Sequence, residues 1–131
     1  MDQKIEKWVD EVLKQDIPNE VVAVMFNLYE DDEHIYSMEI VGTESFDEED
    51  EDWACDELTD FGTRENPLVL ESDSGWEEVL SKVSESLKRY LETGKHAAKL
   101  KRCTAVATGF VDGDVEILWT HDSCGATSGC M

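Results

Sequence analysis

Six consecutive carboxylic acids, Asp47-Glu48-Glu49-Asp50-Glu51-Asp52, place the strongest constraint on how this chain folds. An unpaired carboxylate that leaves water loses its hydration, so the run cannot belong to a core. Hydrophobic periodicity is also lost on both sides of the run, which predicts a long acidic loop at residues 43–66. Loops of this length inside a compact domain are usually functional or disordered. We therefore expect a functional role for this loop more than for any other segment.

The charge of the chain is unevenly distributed. Residues 1–74 contain 24 Asp and Glu and four Lys and Arg, a net charge of −20, whereas residues 75–131 contain eight acids and seven bases, a net charge of −1. A negative field repels the phosphates of nucleic acids and the surface of anionic membranes. We therefore expect neither as a partner and expect a protein with a basic surface instead. Solubility alone is the alternative explanation of the charge.

Length and cysteine content suit one domain in a reducing compartment. The chain has 131 residues, which favours a single domain at residues 1–120. No apolar run approaches the length of a membrane span, and the N-terminus is charged without a signal-type segment, so we expect a cytoplasmic protein. Cys55, Cys103, Cys124 and Cys130 are too irregularly spaced for a disulfide framework. Residues 121–131 are rich in small polar residues and predict a flexible tail.

The first half of the chain predicts a helix and a hairpin. Apolar residues recur at three and four over Asp2–Gln15, which indicates an amphipathic helix. Residues 21–30 are apolar on both faces, as in a central strand covered on both sides. Residues 35–41 alternate, with Ser37 and Glu39 on the polar face. These two segments are expected to pair through a polar turn at Asp31 to Glu33, and residues 68–70 predict a further short strand.

The second half predicts a long helix and a second hairpin. Ser74-Gly75-Trp76-Glu77 has the form of a capping box before a helix that runs to Leu91, and Gly94 is expected to close it in the left-handed conformation. Asp112-Gly113 predicts a tight turn between strands at 103–111 and 114–120. The register then pairs Phe110 with Val115, Thr108 with Ile117 and Val106 with Trp119. Ala105, Ala107 and Gly109 are small enough for a helix to approach that face.

The predicted order of elements is α-β-β-β-α-β-β, with another short helical turn at residues 95–101. This order predicts an α+β fold: a single domain with a mainly antiparallel sheet of about five strands and helices packed on it.

Catalytic and metal-binding patterns are weak. The chain has no GxSxG motif and no glycine-rich phosphate loop, and its histidines lie in polar contexts. Acids flank Cys55, which disfavours a reactive thiolate. His121, Cys124 and Cys130 are typical metal ligands, but their spacing fits no structural zinc site. We therefore expect no enzyme activity, no cofactor and no metal, and a small hydrolase with a dispersed active site is a less favoured alternative.

Several of these features occur together in one known class of protein. An acidic aromatic segment around Asp47–Asp60, a capped helix from Ser74 and a closing Val-Asp-Gly-Asp hairpin at 111–114 resemble the small acidic immunity proteins of bacterial polymorphic toxin systems. The resemblance implies a protein that inhibits a cognate toxin. Many such toxins are nucleases with basic grooves, which an acidic inhibitor would find rapidly. An adaptor or regulatory domain is the alternative.

The predicted partner-binding site is the acidic loop. Its carboxylates would attract a basic partner over long distances, while the aromatic residues Phe46 and Trp53 would either anchor the interface or pin the loop to the core. The predicted site residues are Phe46, Asp47, Glu48, Glu49, Asp50, Glu51, Asp52, Trp53, Asp56 and Glu57.

Overall fold

A computed structural model describes residues 2–14, 17–18, 20–47, 49, 53, 57–62, 67–73, 75–110, 113 and 115–120. It confirms the α+β fold in a single domain. The elements are α1 (Asp2–Val12), β1 (Ala23–Asp32), β2 (Ile35–Thr43), β3 (Glu57–Gly62), β4 (Leu68–Glu71), α2 (Trp76–Thr93), α3 (Ala97–Lys101), β5 (Ala105–Phe110) and β6 (Glu116–Thr120). No helix among the described residues is both long and apolar enough to cross a membrane.

The sheet is mixed, and β1 lies at its centre as predicted. Its strand order is β3-β2-β1-β5-β6, with β4 also paired to β2. Strands β3 and β4 follow each other along one edge of β2, so six strands occupy five positions. β1 and β5 are parallel, whereas the other pairs are antiparallel. A parallel pair requires a long crossover, which here passes through α2 and α3.

Strand β3 corrects the prediction of one uninterrupted loop over residues 43–66. Its sequence, Glu-Leu-Thr-Asp-Phe-Gly, lacks the alternation that would identify a strand. It nevertheless pairs with the end of β2, where Thr43 lies opposite Glu57 and Gly42 opposite Leu58. Strand propensity depends strongly on neighbours, and pairing at a sheet edge overrides a weak local pattern.

The helices cover one face of the sheet and enclose the main core, which we call the helix-side core. The apolar stripe predicted for α1 is buried apart from Trp8, which is partly exposed. The stripe predicted for α2 is buried at Val79, Val83 and Leu87, whereas Trp76 at its start is half exposed. Phe26 and Leu28 of β1 point into the same core. Burial of these side chains is the dominant source of stability in the domain.

The two ends of α2 differ from the prediction. The helix begins at Trp76 with Gly75 as its N-cap, and no side chain caps it, so the capping box is wrong. Gly94 has a φ of −68°, which is not left-handed. A Cβ atom there would lie 2.6 Å from the ring of Tyr90, so close approach explains this glycine. The Tyr90 hydroxyl donates to Asp10 at 2.6 Å and accepts from the His96 amide at 3.1 Å.

The β5–β6 pairing contains an irregularity that the sequence did not predict. Val106 lies opposite Trp119 as expected, but Ala107 then pairs with Ile117 and Thr108 with Glu116. Leu118 is therefore the extra residue of a β-bulge. The bulge lets Leu118 and Trp119 both pack against the helix-side core. The predicted Thr108–Ile117 pair is wrong, and the ladder does not include the predicted Phe110–Val115 pair.

Candidate interaction surface

The second face of the sheet is covered in part by residues that lie between β2 and β3. We call residues 44–56 the acidic segment. Side chains alternate along strands, so Ala23 and Met25 of β1 point away from the helices. A second core forms here from Ala23, Met25, Val41, Trp53, Ala105 and Ala107, with Phe46 and Val115 at its margin. The small residues of β5 were expected to admit a helix; in the structure this face contacts the indole of Trp53 instead.

Trp53 and Phe46 fasten this segment to the sheet. Trp53 is only 4% exposed, and its ring meets that of Phe46 edge to face with centroids 5.0 Å apart. Trp53 therefore holds the segment to the core, which is one of the two roles predicted for these aromatic residues. Because it is buried, it is not available as an exposed anchor for a partner. Phe46 is partly buried beside it.

Two carboxylates of the acidic run, those of Asp47 and Glu49, lie in water. Asp47 and Glu49 are exposed, and the Glu49 amide donates to Asp47 Oδ1 at 2.9 Å. Neither forms an ion pair with a residue that the structure describes. Glu57 begins β3. The predicted site residues Glu48, Asp50, Glu51, Asp52 and Asp56 lie outside the described residues.

A buried polar network on the second face was missed by the sequence reasoning. Glu39 is 3% exposed and accepts hydrogen bonds from Asn27 Nδ2 at 3.2 Å and from the Tyr29 hydroxyl at 2.5 Å. Asn27 lies directly opposite Glu39 in the β1–β2 register. Alternation put Glu39 on a polar face, but that face is covered. The signal was present in residues 21–30, whose apolar residues on both faces indicated cover on both sides.

A second group of carboxylates lies at the far end of the sheet and was also missed. Exposed acids occupy the tip of the β1–β2 hairpin and the end of β4, which are neighbours because Ile35 pairs with Glu71. We call this group the hairpin-tip acids: Glu30, Asp31, Asp32, Glu33, Glu71 and Asp73. The turn between the strands is Glu33-His34 and not the predicted Asp31 to Glu33, and His34 has a φ of 67°.

The hairpin-tip acids lie on a hydrogen-bonded frame. His34 and Ser72 hold the two segments together, since the Ser72 amide donates to the His34 carbonyl at 2.9 Å. His34 Nδ1 also lies 3.2 Å from the Ser72 carbonyl oxygen. Sequence reasoning assigned Asp31, Asp32 and Glu33 to a turn and did not foresee that Glu71 and Asp73 would join them.

Two of the described titratable groups have a raised pKa. Burial raises the pKa of the Cys103 thiol to about 11, so the thiolate is scarce at neutral pH. Burial, and then the hydrogen bond to Asp10, raise the pKa of Tyr90. Within the described part of the chain, no group of three or more His, Cys, Asp or Glu side chains is placed to hold a metal ion. His121, Cys124 and Cys130 lie outside it.

Comparison with known proteins adds no family. No protein-family model, curated protein or solved structure matches this chain.

Proposed function

We propose that this chain is a binding protein that neutralises a partner with a basic surface, and that the partner is a toxin domain. The observation that carries the proposal is a set of exposed carboxylates on the first half of the chain that no described Lys or Arg neutralises. The set comprises Glu30, Asp31, Asp32, Asp47, Glu49, Glu71 and Asp73.

Unpaired surface charge mainly affects the rate at which two proteins associate. Complementary fields raise association rates by orders of magnitude at low salt, while exposed ion pairs add little affinity. If the toxin is a nuclease, the same acids would occupy the place of the nucleic-acid phosphates. The proposal includes a cytoplasmic location, which a free buried thiol such as Cys103 suits.

The test is inhibition and binding of the toxin domain that, under this proposal, is encoded by a gene adjacent to that of this chain. A stoichiometric amount of the chain is expected to abolish the toxin's activity. Reversing Asp47 and Glu49 to Lys should slow association on the order of tenfold at low salt and weaken its salt dependence. Dissociation should change little, since both side chains are exposed.

A matched control separates local charge from total charge. Glu6 and Glu92 are exposed on α1 and α2, and Glu6→Lys with Glu92→Lys changes the net charge equally. Equal slowing by both double variants would mean that only total charge matters. Unchanged kinetics for Asp47→Lys with Glu49→Lys would remove this segment from the mechanism, and a toxin that stays active would contradict the function itself.

A further inference from the structure

A groove of about 390 Å³ runs along α2 beside β6. Four of its lining residues, Trp76, Leu80, Ser84 and Lys88, are spaced four apart and so form one row along the helix. The row changes in character along its length: its first two members are apolar and its last two are polar. Glu116 of β6 forms the opposite wall.

The apolar end of the groove contains a half-exposed tryptophan that packs against a buried aromatic side chain. Trp76 is 50% exposed, the most exposed large apolar side chain in the described part of the chain. Its ring meets Phe110 edge to face with centroids 5.9 Å apart, and Phe110 meets Tyr36 in the same way at 6.0 Å. The contact with Phe110 thus orients the indole, and half of the Trp76 side chain remains exposed. Pre-oriented aromatic side chains of this kind lose little entropy on binding.

The polar end and the rim give the groove a negative charge. The Ser84 hydroxyl donates to Glu116 Oε1 at 3.2 Å, and Lys88 Nζ lies 3.6 Å from Glu116 Oε2. The one ammonium group of the lining is therefore balanced by Glu116. Glu77 and Glu85 line the same groove, are exposed, and form no ion pair with a described residue. A cation is attracted here and an anion is repelled.

We propose that this groove anchors the basic protein partner by taking a segment that carries arginine beside an apolar side chain. The apolar side chain packs on Leu80, while the guanidinium stacks on the indole of Trp76 and bonds the neighbouring Glu77. Glu85, more than two turns further along α2, adds to the attraction. This inference rests on the proposed function and names its aromatic anchor. The anchor is Trp76, since Trp53 is buried.

The first experiment uses a short peptide and the indole N–H signals of the full chain in NMR spectra. The chain has four tryptophans, so Trp76 is observed beside three internal references, of which Trp53 is buried. The probe is acetyl-Leu-Arg-Leu-Arg amide, with glutamine or glutamate in place of arginine as matched peptides. The arginine peptide should shift the Trp76 signal to saturation and leave Trp53 unchanged. The glutamine peptide should bind at least tenfold more weakly, and the glutamate peptide should give no shift.

Variants locate the contact. Trp76→Ala should abolish saturable binding, whereas Trp76→Phe, which keeps an aromatic ring against Phe110, should retain part of it. Glu77→Gln with Glu85→Gln should weaken binding severalfold. Val69→Ala is the control, because Val69, at 47%, is the other exposed large apolar residue that the structure describes, and it lies outside the groove.

Two results would overturn the inference. One is peptide affinity that does not change in Trp76→Ala, and the other is a Trp76 signal that moves on dilution, which would assign the groove to a second copy of the chain. The toxin assay separates this inference from the proposed function. Inhibition that survives Trp76→Ala with undiminished affinity removes the anchor and keeps the function. If the toxin is never inhibited but the arginine peptide still binds at Trp76, the proposed function is contradicted. The preference of the groove for arginine-containing segments then still stands.

Discussion

The two faces of the sheet are covered in different ways. Helices cover one face, and the core there contains large side chains from both the helices and the sheet, among them Phe26, Leu87 and Tyr90. Among the described residues, the other face has six buried apolar residues, three of them alanine, and Trp53 is its one buried aromatic residue, with Phe46 partly buried beside it. Stability is thus spread over many large side chains on the first face and depends on few of them on the second. Asp47 and Glu49 can therefore be held close to the sheet while their carboxylates stay in water.

The largest expected effect separates the two faces on a single strand. Phe26 and Met25 are neighbours on β1, both almost fully buried, and point to opposite faces. Phe26→Ala should lower the free energy of unfolding by about 3–5 kcal/mol, and Met25→Ala by about 2 kcal/mol, because the thinner core leaves a smaller cavity. Urea unfolding of both variants measures the difference. Equal losses would show that the second core is as extensive as the first.

A smaller effect is expected at the pin itself. Trp53→Ala should cost about 2–3 kcal/mol, at or below the usual range for such substitutions, because the segment that carries it can relax into water. Phe46→Ala is the matched control and should cost less, since Phe46 is only partly buried. Cleavage by a glutamate-specific protease should accelerate within residues 44–57 of Trp53→Ala. Cleavage as slow as in the unchanged chain would mean that other contacts hold the segment.

The smallest effect concerns the polar part of the second face. Glu39→Ala should cost about 1–2 kcal/mol, because the Asn27 amide and the Tyr29 hydroxyl lose a buried acceptor. Glu39→Gln keeps an oxygen at that position and should cost less. Thermal unfolding of the two variants at neutral pH makes the comparison. A Glu39→Ala variant with full stability would show that the network adds nothing to the cover of this face.

Periodicity predicted the elements whose burial is local and regular. The row Val79, Val83 and Leu87 identified α2, and the alternation of residues 35–41 identified β2 as the partner of β1. The central place of β1 also followed from its own residues, since apolar side chains on both faces require cover on both sides. These features depend on short stretches of chain, where the helical and strand repeats are strong.

The features that were missed depend on contacts between distant parts of the chain. The parallel pairing of β1 with β5 leaves no mark in either strand, because both are apolar in any pairing. The bulge at Leu118 follows from how β6 meets the helix-side core. In the candidate site, the exposure of Asp47 and Glu49 agreed with the sequence, whereas the burial of Glu39 and the exposure of Trp76 depend on what packs above them.

The central position of β1 has a consequence for the order of folding. Its partner on one side follows within a few residues, but its partner on the other side arrives late, since Thr108 bonds the carbonyl of Phe26 across 82 positions. At ribosomal rates that interval lasts about 4 to 16 seconds. Throughout it this central strand keeps one row of amides and carbonyls unpaired, the situation in which chains join edge to edge. Mutual repulsion between strongly anionic nascent chains opposes that association, so the same carboxylates protect the protein before it has folded.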